Sequence, residues 1–224
     1  MTALRGRVGF VAALAVAWAL LACAGMLQGS YRAERGRASV DELLYYPSGV
    51  WVRQAAVGYE TAAADVAWLR AIQYYGEHRM SDQRYDMIGH VMGIVADLDP
   101  RFTEAYVFGG FVLAQELKQP QRGLELLERG MRANPENWRL AFETGFLHYV
   151  GTKDYASAAR YFTRASRLPG HPEYVERFAA FASQKAGNAG MAILLWKRIE
   201  STGNEYMREV ARRELKRLED QGGL

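Results

Sequence analysis

The sequence predicts an all-α protein, a helical solenoid of about four helix–turn–helix units with flanking cap helices, preceded by an N-terminal membrane segment. First, no convincing run of alternating apolar and polar residues, the pattern of a half-buried strand, occurs in the chain. Second, short turns rich in Pro, Gly and Asn divide the helical stretches. Third, matching residues recur at separations of 35, 35 and 34 residues, which is typical of a repeat protein.

Composition bounds the class of protein. Half of the 224 residues are hydrophobic and 24% are charged, which suits a folded chain and excludes a disordered or collagen-like one. A single cysteine excludes an internal disulfide framework and any cysteine-based zinc cluster. The net charge of +3 is too mild to indicate nucleic acid as a partner.

The N-terminal residues 1–27 have the features of a signal-anchor. Arg5 and Arg7 precede a charge-free run of 24 residues, 8–31, whose most apolar part is 8–27. Crossing the hydrocarbon core of a bilayer takes about 20 apolar residues in a helix. The segment therefore predicts a single spanning helix that attaches the protein to a membrane.

Cys23 leaves two alternatives open. The stretch Leu20-Leu21-Ala22-Cys23 follows an apolar region and resembles the lipobox of bacterial lipoproteins, which implies lipidation of Cys23 as the first residue of the mature chain. A fully cleaved signal peptide is the other alternative. The spanning anchor is favoured because the apolar run continues beyond Cys23 to residue 27.

The flanking residues bear on orientation. Residues 28–47 are charged, contain glycine and serine, and are predicted to form a tether, in which Arg32, Arg35 and Arg37 compete with the N-terminal arginines under the positive-inside rule. The short N-terminal tail still resembles the start of a signal sequence. We expect the bulk of the chain on the extracytoplasmic side, the periplasmic face of an inner membrane.

Membrane attachment is testable by fractionation. Because residues 8–27 carry no charge, the protein is expected to stay in the membrane pellet after high-salt and alkaline washes. Release by either wash would contradict both the anchor and the lipoprotein. Cys23→Ser separates the two, because unchanged processing and attachment would exclude lipidation.

The repeating residues define the units. We place an N-terminal helical cap at 48–67, four units at 68–100, 101–135, 136–170 and 171–203, and a C-terminal cap helix and tail at 204–224. In the second helices the aligned residues are Ile88, Gly123, Ala158 and Ala192, then Met92, Leu127, Phe162 and Trp196, then Val95, Gly130, Ala165 and Ile199. In the first helices the aligned small residues are Gly76, Gly110, Gly145 and Ala180.

Three local predictions accompany this alignment. A small residue in the first helix lets the paired helices approach closely. The small residue precedes the second helix's first aligned residue by 12 or 13 positions, so the second and third units carry one extra residue in the turn between their helices. Asp99 and Asn134, each followed by proline, are predicted to be helix N-caps.

This pattern resembles the tetratricopeptide repeat (TPR) family over residues 68–204. The third unit matches best, through Gly145, Ala158, Phe162 and Ala165, whereas the first and fourth are degenerate. The resemblance implies a right-handed solenoid whose concave groove binds a protein or peptide, here a partner from a membrane or envelope complex.

Carried onto this chain, the TPR groove face comprises one side of each first helix. The residues are Arg70, Gln73, Glu77, Glu104, Val107, Phe111, Ala114, Arg139, Phe142, Phe146, Tyr149, Tyr174, Arg177, Phe181 and Gln184. Aromatic and arginine side chains are what interface hot spots favour. For Phe142 and Phe181, ordinary core between units is an equally weighted alternative.

No catalytic pattern occurs in the sequence. The four histidines are spread over three units, and no glycine-rich loop follows a strand. We expect no enzyme, metal, cofactor or small-molecule substrate. The first functional prediction is a membrane-anchored scaffold; the alternative is a structural subunit or assembly factor, such as a pilotin-like lipoprotein, of an envelope secretion or pilus machine. A polar, charged groove would favour the scaffold, and an apolar one the permanent assembly.

Overall fold

The computed structural model describes residues 49–220 and 222, and in this part of the chain it contains ten α-helices and no strand. The predicted anchor, Cys23 and the tether lie outside the described residues. The all-α prediction is confirmed for what is described. The helices are α1 Gly49–Ala56, α2 Glu60–Arg79, α3 Ile88–Leu98, α4 Thr103–Phe111, α5 Pro120–Ala133, α6 Trp138–Leu147, α7 Tyr155–Ala165, α8 Tyr174–Lys185, α9 Ala189–Thr202 and α10 Glu205–Asp220.

The helices pack mainly on their neighbours in the chain. From α2 to α9, each helix contacts the one before it and the one after it, and α10 contacts α9. In addition, α1 packs on α3, and α4 reaches across to α6. We call α2, α4, α6 and α8 the A helices and α3, α5, α7 and α9 the B helices. No helix among residues 49–220 is long and apolar enough to cross a membrane.

The repeating residues of the B helices form the core. All of the aligned positions are buried, and Phe162 and Trp196 are 0% exposed. The cap helix α10 buries Met207, Ala211 and Leu218 against α9. The buried positions of the B helices therefore recur at the same interval, 34 or 35 residues, as the aligned residues of the sequence.

Glycine permits close approach between α4 and α5 and between α6 and α7. A Cβ atom built on Gly123 would lie 2.7 Å from the carbonyl oxygen of Gly110, and one on Gly145 would lie 2.9 Å from the ring of Phe162. The prediction that a small residue allows close packing is confirmed at Gly110 and Gly145. It is wrong at Gly76, where no atom lies within 4 Å of an added Cβ.

The predicted N-caps at Asp99 and Asn134 are wrong. Both residues follow the end of a helix, α3 and α5 respectively, because the proline after each belongs to the inter-unit turn rather than to the next helix. The cap of α6 is Asn137, whose side chain accepts hydrogen bonds from the amides of Arg139 and Leu140 at 3.0 and 3.3 Å. The Asn134 amide group instead donates to the Pro100 carbonyl at 2.8 Å, which ties two turns together.

The extra residue of the second and third units lies in a π-helical turn. Val112–Glu116 continues α4, and His148–Thr152 continues α6. The Leu117 amide donates to the Val112 carbonyl at 3.0 Å, five residues back. Lys118 and Lys153 then reverse the chain with φ of 56° and 57°.

The N-terminal boundary differs from the predicted one. The cap was predicted to end at residue 67, but α2 is continuous from Glu60 to Arg79 and crosses that position. The chain turns earlier, at Val57 and Gly58, where φ is 41° and 87°. The first A helix is therefore longer than its counterparts.

Candidate partner-binding face

The predicted groove residues lie on the A helices and their π turns. Arg70, Gln73 and Glu77 are exposed on α2 and line neither of the two clefts that the other groove residues form. Ala114 is 6% exposed and belongs to the core. The remaining residues share one side of α4, α6 and α8, which we call the A face.

The first cleft on the A face lies between α4 and α6. Its volume is about 160 Å³, and Val107 and Phe111 form one wall while Phe146 and Val150 form the other. Glu143 and Gln115 are the polar side chains in it, so we call it the acid cleft. Phe111 and Phe146 are 50% and 37% exposed, so aromatic surface is available at its mouth.

Glu143 is the charged group of the acid cleft. Burial raises the pKa of its carboxyl above the ordinary value, and the nearby positive charge of Arg139 offsets part of that shift. Within residues 49–220 its side chain makes no hydrogen bond or ion pair. Arg139 instead forms an ion pair with Glu104 on α4, at 3.5 Å.

Phe142 belongs to an aromatic cluster beneath the A face. It is 9% exposed, and its ring centroid lies 5.2 Å from that of Phe162 and 5.4 Å from that of Tyr174. Phe178 joins the cluster at 5.2 Å from Phe142. Phe142 is therefore a core residue, which was one of the two alternatives for it. It packs α6 against α7 and α8 and offers little surface to a partner.

A second cleft lies at the other end of the A face, where α6, α8 and α10 meet. Its volume is about 520 Å³, and Tyr149, Phe181, Gln184, Lys185 and Arg217 line it, so we call it the basic cleft. The Lys185 ammonium lies 5.9 Å from the Tyr149 ring centroid. Phe181 is half-buried on Trp196, at 4.8 Å between ring centroids, and still contributes to the lining.

Sequence reasoning missed Glu143, Lys185 and Arg217. For Glu143 a signal was present in the alignment. Two residues before the small residue of each A helix, the other units have Tyr74, Phe108 and Phe178, whereas the third has Glu143. Arg217 belongs to the cap helix α10, and only the packing of this helix on the preceding ones brings its side chain to the cleft.

A third cleft lies between the B helices α7 and α9, away from the predicted groove residues. Its volume is about 610 Å³. Arg160, Arg164 and Arg167 lie along one side of it, with Met191 among the apolar residues of the opposite wall. This surface is a useful comparison for the A face because it is also concave and accessible.

The histidines serve local structure. His78 Nδ1 lies 2.5 Å from an Asp82 oxygen, and the His148 ring stacks on Tyr161 at 5.4 Å between centroids. No group of three potential metal ligands lies together among residues 49–220. Asp97 pairs with Arg129 at 2.5 Å, which joins α3 to α5.

Comparison with known proteins adds no relative from which a function could be transferred. The chain matches no protein-family model, and no curated protein matches it significantly. The functional argument therefore rests on the A face itself, with the acid cleft between α4 and α6 and the basic cleft where the π turn after α6 meets α8 and α10.

Proposed function

We propose that this protein is a membrane-anchored, TPR-type scaffold that binds a segment of a partner protein along the A face. The observation that carries the proposal is that three successive A helices present aromatic side chains on one face. Two clefts lie in this face, beside the aromatic residues. Exposed aromatic groups beside clefts bury much area on binding and lose few rotamers.

The TPR-type architecture is supported by the packing. The buried positions of the B helices repeat at the interval of the sequence, and glycine permits close approach within the second and third helix pairs. Nearest-neighbour contacts between successive helices are what a helical repeat protein shows. Membrane attachment rests on the composition of residues 8–27.

The chemistry of the A face favours reversible docking over permanent assembly. Obligate interfaces are large and resemble a protein core, whereas transient ones are more polar. Here the aromatic groups alternate with Glu143 and Gln115 in one cleft and with Lys185 and Arg217 in the other. The mixed lining supports a scaffold that binds and releases a peptide segment.

The expected result of truncating the aromatic walls is loss of the partner. Phe111→Ala combined with Phe146→Ala removes the exposed apolar surface on both sides of the acid cleft. Hot-spot aromatics cost about 2 kcal/mol or more each when truncated, so binding should weaken by well over tenfold. The measurement is co-purification from membranes solubilised in mild detergent, with partners identified by mass spectrometry.

The control uses exposed apolar residues of the B helix α9, outside the A face. Met191→Ala combined with Leu194→Ala removes comparable exposed apolar surface from α9, where these residues are 38% and 61% exposed. This pair should retain the partner. If both double variants keep wild-type helical content and only the α9 pair loses the partner, the binding site lies on the B-helix side and the proposal is wrong.

A further inference from the structure

We propose that the acid cleft is a subsite for one cationic side chain, arginine in preference to lysine, of the bound segment. The inference rests on the proposed function, since it names the chemistry that one part of the same face recognises. Three observations carry it: the dimensions and lining of the cleft, the unpartnered carboxylate inside it, and the position of that carboxylate in the repeat.

The cleft has the dimensions of a single side chain. A cavity of about 150 Å³ holds one benzene molecule, and the acid cleft has a volume of about 160 Å³. Its walls from Val107, Phe111 and Phe146 suit the aliphatic stem of a long side chain, which buries apolar surface while its head group stays polar. A whole helix or a cofactor would not fit.

The carboxylate of Glu143 selects the charge of the occupant. A carboxylate removed from water without a partner is costly, and an opposite charge within hydrogen-bonding distance relieves that cost. Arg139, whose positive charge acts on Glu143, forms its ion pair with Glu104 on the neighbouring A helix. Within residues 49–220 the Glu143 carboxylate therefore has no hydrogen bond or ion pair of its own, so it can bind an incoming cation, whereas an incoming anion would be repelled.

The other units have an aromatic residue at this position. In the second and fourth units the equivalent residues pack on the preceding unit, Phe108 on Tyr75 at 5.0 Å and Phe178 on Phe142 at 5.2 Å between ring centroids. Glu143 faces the preceding unit in the same way but is narrower than phenylalanine and charged. The third unit thus has a cleft where its neighbours have aromatic packing.

Arginine suits this cleft better than lysine. A guanidinium can bind a carboxylate with two parallel hydrogen bonds and can stack on an aromatic ring, whereas an ammonium is a compact and strongly hydrated charge. Phe111 and Phe146 supply exposed rings, and Glu143 lines the same cleft. Both interactions are available to the same guanidinium.

The test uses four tripeptides with fluorescein on the N-terminus and the full-length chain in detergent. The probes are fluorescein-Leu-Arg-Leu-NH2, its lysine analogue, its citrulline analogue, which has the shape of arginine without the charge, and its glutamate analogue. Fluorescence anisotropy measures the dissociation constants. We expect the arginine probe to bind at least tenfold more tightly than the citrulline probe and more tightly than the lysine probe, and the glutamate probe to bind most weakly; a lysine probe that binds as tightly as the arginine probe would overturn the preference for arginine.

Glu143→Gln is the decisive variant, since it keeps the shape of the side chain and removes its charge. It should bring the ratio between the arginine and citrulline probes close to one. The matched control Glu136→Gln removes an exposed carboxylate in the turn before α6 and should keep the wild-type ratio. Equal binding of the two probes by wild type, or an unchanged ratio in Glu143→Gln, would overturn the inference.

Failure here is distinguishable from failure of the proposed function. If Phe111→Ala with Phe146→Ala abolishes co-purification but Glu143→Gln leaves the probe ratio unchanged, the face binds a partner without this charge selection. If Glu143→Gln abolishes the ratio but the phenylalanine variants keep the partner, the cleft selects cations and the partner binds elsewhere.

Discussion

Replacing Phe162 by alanine is expected to lower the free energy of unfolding by about 3–5 kcal/mol, the usual cost of removing a buried aromatic side chain. Phe162 is 0% exposed, and its ring lies 5.2 Å from that of Phe142 and 5.3 Å from that of Phe178. The loss leaves a cavity where three successive helices meet. Urea unfolding of the detergent-solubilised chain, followed by circular dichroism, measures the effect.

Tyr206→Ala is the matched control. Tyr206 is an aromatic residue on α10 that is 62% exposed, so its truncation removes little buried area. Surface substitutions of this kind usually change stability by about 0.5 kcal/mol or less. Equal unfolding midpoints for Phe162→Ala and Tyr206→Ala would mean that the packing described for α6, α7 and α8 is wrong.

The second large effect concerns a single methyl group at Gly123. Alanine is favoured over glycine in a helix by up to about 1 kcal/mol, so Gly123→Ala would be stabilising if space were available. Its Cβ would instead meet the Gly110 carbonyl oxygen at 2.7 Å, and a backbone atom cannot move aside as a side chain can. Overpacking costs about 1–3 kcal/mol, so we expect a net destabilisation of about 1–2 kcal/mol.

Gly93→Ala is expected to change the free energy of unfolding in the opposite direction. Gly93 lies within α3, and no atom is within 4 Å of a Cβ built on it. Only the helix preference then acts, and the variant should be more stable than wild type by up to about 1 kcal/mol. Stabilisation by both substitutions would show that α4 and α5 are not in close contact at Gly110 and Gly123.

The sequence predicted the core because burial there follows a chain interval. The aligned residues Phe162 and Trp196 are both fully buried, and each packs on a ring of the preceding helix, that of Phe142 and that of Phe181 respectively. The small residues Gly110 and Gly145 likewise indicated close helix pairs, whereas the aligned Gly76 does not form one. These features depend on contacts within one unit or between adjacent units, so the spacing of the repeated residues is enough to predict them.

The remaining features of the fold and of the candidate site depend on contacts that cannot be predicted from the spacing of the repeated residues. Asn137 rather than Asn134 caps α6, because the turn after Pro135 continues for two residues before the helix begins. Glu143 acquires its role from the walls that α4 supplies, and Arg217 from the packing of α10. Phe142 could be assigned to the core only once the rings around it were located.

The two π turns have a consequence for how this chain tolerates a change of length. An α-helix rotates by about 100° per residue, so one residue added inside α4 would turn every later side chain of that helix away from its neighbours. A π turn accommodates an additional residue as a single wider loop of backbone. The rotational phase of α5 and α7 is thereby preserved, although their units are one residue longer between the aligned positions. Each widened turn also supplies a lining side chain, Gln115 from one and Val150 from the other, so the same backbone loops that preserve the phase border the acid cleft.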